Sequence, residues 1–151
     1  MRYDRYTVEA LPSLAEFEFY SEGPKGKIRK RVVFKRFKNN AEVYNLAFGD
    51  VQAKDEINDT IVTNNGDSRK VLATVGLAVL IFSENYPESS IFATGGTAAR
   101  TRFYQMGISN NLHEIECDFY VFGMIDDAWE IFRKGVIYQA FLIRRNCNFD
   151  I

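Results

Sequence analysis

The residues best suited to chemistry lie between Thr94 and Arg102, in the run TGGTAARTR. Gly95 and Gly96 allow a tight strand-to-helix turn, Thr97 can cap the helix or donate its hydroxyl, and Arg100 and Arg102 fall in its first two turns. A helix start offers unsatisfied backbone N–H groups and a partial positive charge, so glycines, a threonine and two guanidiniums there suit a phosphate or carboxylate. From Ser89 to His113 there is no Asp or Glu to neutralise the arginines locally. With Ala99, Phe103 and Met106 facing inward, Arg100 and Tyr104, one turn apart, share an outer face and complete an anion-binding set of Gly95, Gly96, Thr97, Arg100, Arg102 and Tyr104. The competing reading pairs the arginines with Asp126, Asp127 or Glu130. The spacing is neither GxxxxGK[ST] nor GxGxxG.

A second candidate is basic. Lys25 to Lys38 holds eight Lys and Arg and no acid, although the whole chain has a net charge of −1. Alternation puts Lys27, Arg29, Arg31 and Lys35 on one strand face and Ile28, Val32 and Phe34 on the other. Such a stripe can follow a phosphate backbone, with Phe37 or Tyr44 offered for base stacking. Against this, a hairpin centred on Gly23-Pro24 sets Glu18 near Arg29 and Glu16 near Arg31 as cross-strand pairs.

Other chemistry is poorly supplied. Asp50, Asp55, Glu56 and Asp59 lack the spacing of a calcium loop. The single histidine, His113, has no nucleophile elbow near it, and Cys117 and Cys147 form no CxxC motif. No acid, base, metal site or cofactor motif identifies an enzyme, and a protein without cofactor or metal is expected. The N-terminus has no apolar leader and the longest apolar run, Val71 to Phe82, is short for a membrane span. A soluble cytoplasmic protein follows.

The elements that must position these residues fit one α+β domain over 1–151. With 46% hydrophobic and 15% aromatic residues the chain can build a core without disulfides. Strands are predicted over 3–9, 16–20, 27–37, 43–49, 90–94, 115–124 and 136–144. A central helix runs from a cap at Asp67 or Ser68 to Tyr86, and a second from Thr97 to Ser109 or Asn110. Residues 50–67 read as loop, anchored by Ile57, Ile61 and Val62, and 126–134 as a turn or short helix with Trp129 as a core or interface anchor. The order β-β-β-β-α-β-α-β-β implies an antiparallel or mixed sheet with two main helices packed on it.

Several segments together resemble a bacterial family of unknown function, mainly from Bacteroidetes, of about this length: Tyr3-Asp4 with Tyr6, Phe17 with Phe19, GPKG at 23–26, YNLAFGD at 44–50, NNGD at 64–67, KVLATV at 70–75, and ART-R-Y ending at Tyr104. The resemblance implies a shared fold and no mechanism. Gly-Ser-Thr is frequent in that family where this chain has Gly95-Gly96-Thr97, so a serine hydroxyl is absent here. In element order alone, four strands and a helix, the first half is similar to single-strand nucleic-acid binders of the Whirly and PUR type. The residues point to a non-enzymatic binding protein for nucleic acid or another phosphate-bearing ligand; the alternative is a protein-interaction module, such as one partner of a toxin–antitoxin or immunity pair.

Overall fold

The computed structural model describes residues 4–58 and 64–146. The strands are β1 (Glu9–Ala10), β2 (Glu16–Gly23), β3 (Gly26–Phe37), β4 (Asn40–Val51), β5 (Ile57–Asn58), β6 (Ser90–Ala93), β7 (Phe119–Ile125), β8 (Ala128–Ile131) and β9 (Ala140–Arg145). The helices are α1 (Ser68–Asn85), α2 (Ala98–Asn110) and α3 (Leu112–Asp118). All strands join one mixed sheet in the order β1-β2-β3-β4-β6-β9-β7-β8, with β5 paired to β4. Only β4 and β6 run parallel among these pairs, which is the consequence of the α1 crossover between them. The α+β expectation is met.

Period-two alternation builds the covered face: Phe17 and Phe19, Val32 and Phe34, Leu46 and Phe48, Ile91 and Ala93, Phe141 and Ile143 are all buried. Phe82 of α1 lies flat on Phe34 at 4.1 Å and edge-on to Tyr44 at 5.0 Å, so this helix sits over the centre of the meander. The β2–β3 loop is Pro24-Lys25, with Gly26 at a φ of +90° that favours glycine. The turn is therefore centred one residue later than predicted. Each cross-strand partner moves by two residues, so Glu18 faces Arg31 and Glu16 faces Val33.

A polar knot ties this hairpin to the start of α1. Asp67 holds the N-cap position without capping the helix through its side chain. Its Oδ2 instead accepts the hydroxyls of Tyr6 at 2.6 Å and Ser21 at 2.5 Å. Buried Asn65 accepts the Lys25 N–H at 2.7 Å and donates to the Gly26 carbonyl at 3.0 Å and to Ser21 Oγ at 3.1 Å. Each buried polar group of the knot thus receives partners that repay its removal from water.

Five local expectations change. Of the strand expected over 3–9, the described residues from 4 onward keep only Glu9, in the strand Glu9–Ala10, because Tyr6 turns into the knot and its N–H donates to Thr74 Oγ1. Residues 115–118 are helical, since Ile115 closes a helical turn on the Asn111 carbonyl before β7 starts at Phe119. Residues 128–131 form a strand: Asp126 and Asp127 both take positive φ, as a two-residue hairpin with matching twist requires. β9 starts at 140, four residues after the predicted strand start, and β4 and β5 take part of the acidic stretch expected as loop. Ile61 and Val62 lie outside the described residues.

Candidate functional site

Residues 94–104 do not assemble into one surface. Thr97 is the N-cap of α2 as predicted, and its Oγ1 accepts the Arg100 N–H at 3.2 Å. Thr101 Oγ1 accepts the Gly95 N–H and donates to the Thr97 carbonyl, both at 3.0 Å. A Cβ on Gly95 would meet Arg100 Cβ at 2.3 Å, whereas Gly96, at φ +77°, has nothing within 4 Å of that position. The first glycine is needed for close approach and the second for its backbone angle.

This close approach sets the rotation of α2. Arg100, Thr101, Tyr104 and Ile108 face inward; of the predicted inward face Ala99 and Met106 are exposed, while Phe103 is partly buried against the core. Arg100 is 2% exposed, with its guanidinium carbon 5.3 Å from the centre of the Phe48 ring. Arg102, about 200° further round the helix, is exposed. Arg100 and Tyr104 are therefore part of the covered layer, and Arg102 faces away from them. Glu130, a candidate partner for the arginines, instead accepts from the Tyr138 hydroxyl at 2.7 Å and from Arg133 at 3.0 Å. These two donors hold its carboxyl below the usual carboxylate range.

Two members of the basic stripe, Arg29 and Arg31, are neutralised by carboxylates. Glu18 accepts Arg29 Nη2 at 2.9 Å and Arg31 Nε at 2.6 Å, and Asp55 accepts Arg31 Nη2 at 2.8 Å. Burial pushes Glu18 up, but the hydrogen bonds and charges of Arg29 and Arg31 outweigh it and hold its carboxyl below its ordinary value. Lys27 lies over the Tyr20 ring at 5.0 Å. Lys30, one residue out of phase with the stripe, is 3% exposed, and its Nζ reaches Asp50 Oδ1 at 2.5 Å. The sequence reading set Asp50 in a loop and gave Lys30 no partner; the available signal was a lysine at an inward-facing position of β3. Among the described residues no group of His, Cys, Asp and Glu could hold a metal, and Asp59 and Cys147 lie outside them. His113 is exposed on α3, and its carbonyl accepts the Cys117 thiol at 3.4 Å.

Lys35 belongs to a different arrangement. On the sheet face opposite the helices, the strand registers align Lys35 of β3, Asn45 of β4, Phe92 of β6, Leu142 of β9, Phe122 of β7 and Ile131 of β8 in one row. Beside it, Arg144 stands next to Tyr120, and Met124 next to Trp129. Phe37 meets Phe92 edge-on at 5.9 Å, and Phe92 meets Trp129 edge-on at 6.2 Å. Phe37 is 39% and Trp129 42% exposed. An aromatic strip thus crosses the open face, with a lysine and an arginine on the same surface.

Fold and site together define a single-sheet α+β protein with helices on one face and an aromatic, weakly basic opposite face. The chain belongs to DUF6934, a family of unknown function whose model matches residues 2–146. Comparison with curated proteins and with solved structures gives no match. No helix among the described residues is long and apolar enough to cross a membrane.

Proposed function

We propose that this protein is a non-enzymatic, cytoplasmic binder of single-stranded nucleic acid, and that the ligand lies on the open sheet face. The observation that carries the reading is the strip Phe37, Phe92 and Trp129, exposed at Phe37 and Trp129 and partly buried at Phe92, with Lys35 and Arg144 on the same face. Exposed aromatic rings on a sheet stack unpaired bases, and neighbouring cations take the phosphates. A duplex hides its base faces, which favours single strands. Arg100, expected in the sequence to touch the anion, acts here as a support beneath Phe48, and Arg29 and Arg31 serve the sheet through Glu18. Lys35 is the member of both basic sets that reaches the ligand.

Trp129 is the single tryptophan, so stacking reads directly as quenching of intrinsic emission. Titration with a fifteen-residue oligothymidylate or oligouridylate at low salt is expected to quench it and to raise the anisotropy of the labelled strand. Phe92→Ala should weaken binding by about 1 to 3 kcal/mol, the usual worth of one base–aromatic stack. Two phosphate contacts, by Lys35 and Arg144, predict a slope of about −1.4 in log affinity against log salt. No quenching and no anisotropy change with DNA or RNA would sink the proposal. A Phe92-dependent dimer in sedimentation, without nucleic-acid binding, would assign the face to protein association instead.

A further inference from the structure

The layer under the helices is packed until Phe17, Val32, Ala78, Phe82 and Phe141 have no exposure. Between the helices and the middle of the sheet it nevertheless leaves an apolar pocket of about 110 Å³, walled on one side and open to solvent on the other. Leu46, Ala93 and Ile143 of the sheet, Val75 of α1 and Ile108 of α2 line it, and no lining residue is charged. Protein interiors keep few voids larger than a water molecule, and those walled by carbon stay dry and accept small apolar molecules.

Two further lining positions are glycines inside helices, Gly76 of α1 and Gly107 of α2. Glycine is among the poorest residues for a helix interior, so helix formation does not account for either. For Gly107 space does: a Cβ there would come within 3.0 Å of Cδ2 of Leu72, itself a lining side chain.

We propose that this cavity is a binding site for one small, neutral, apolar molecule, the size of a single aromatic ring or a short alkyl chain. The volume admits nothing much larger, and the carbon lining rejects a charged group, which would lose its hydration without a partner. The site lies on the opposite side of the sheet from the aromatic strip, so the two proposals stand or fall separately.

Toluene is a suitable probe. In a titration followed by methyl NMR of the full chain, the shifts should concentrate on Ile108, Ile115 and Ile143, which line the cavity, and saturate at one molecule per chain. Val75→Phe, or Leu72→Phe if the first variant does not fold, should fill the space and abolish the shifts. Shifts that never saturate, spread over the whole protein, or persist unchanged in a folded filled variant would overturn the assignment. The wild-type titration decides by itself if neither variant folds.

Discussion

The two faces of the sheet are built from similar residues and do opposite things. The covered face places Phe17, Phe19, Phe34, Phe48 and Phe141 under helices, where they are almost completely removed from solvent. The open face places Phe37, Phe92, Phe122 and Trp129 in its own aromatic strip, with none of the described helices above it. Hydrophobic character therefore does not tell the faces apart; what packs opposite them does. Phe119 to Ile125 is apolar on both sides, a pattern usual for strands covered on both faces, yet one side here is left to solvent. Exposed apolar patches larger than those of an ordinary monomer surface mark interaction sites in general, which is why the proposed ligand is set on this face.

The largest expected difference between the faces lies in stability. Phe82→Ala removes a ring with no exposure that stacks on Phe34 and Tyr86, and should cost about 3 to 5 kcal/mol in urea denaturation. Phe92→Ala on the open face should cost about 1 kcal/mol or less while weakening nucleic-acid binding. Equal losses from the two substitutions would erase the distinction. Next, Asp50→Ala strips the partner from buried Lys30 and should cost about 3 kcal/mol, whereas Lys35→Ala should leave the unfolding midpoint unchanged and lower affinity.

A smaller effect tests how α2 is seated. Gly95→Ala drives a Cβ into Arg100 and the Thr101 backbone and should cost about 2 kcal/mol. Gly96→Ala meets only the positive-φ penalty of about 1 kcal/mol. Thermal melts of the pair rank them. The smallest effect concerns acid. The carboxyl of Glu18 titrates lower in the folded chain than in the unfolded one, so its contribution is complete above the unfolded pKa. It is lost as pH falls through the folded pKa. With Arg29 substantially exposed, the contribution should be on the order of 1 kcal/mol or less, and Glu18→Gln should flatten the acid limb of the stability curve by that amount.

Much of the covered face is legible from alternation alone, as in EFEF at 16–19 and RVVF at 31–34. The cap at Thr97 is legible too, because a hydroxyl residue before Ala98-Ala99 has a local reason to be there. What depends on distant contacts is not. The rotation of α2 follows from Gly95 letting Arg100 approach and from Phe48, fifty-two residues earlier, receiving its guanidinium. A pattern read along the helix treats arginine as an outward residue and so turns the face round. The aromatic strip is hidden for the same reason: Phe37, Phe92 and Trp129 belong to three separated strands, and only the pairing order brings them together. The hairpin register failed by a smaller margin. Shifting its centre by one residue preserves which face each side chain occupies, which is why Glu18 still reaches both Arg29 and Arg31.

The knot around Asn65 gives the molecule a chemical age. Asn65 precedes Gly66, the neighbour least able to shield an asparagine amide from attack by the following backbone nitrogen. Deamidation would convert the donor that faces the Gly26 carbonyl and Ser21 into a carboxylate, buried beside the Asp67 network. The same hydrogen bonds hold the amide in place while the fold is intact, so the rate of this conversion would report how often the β2–β3 turn separates from the start of α1.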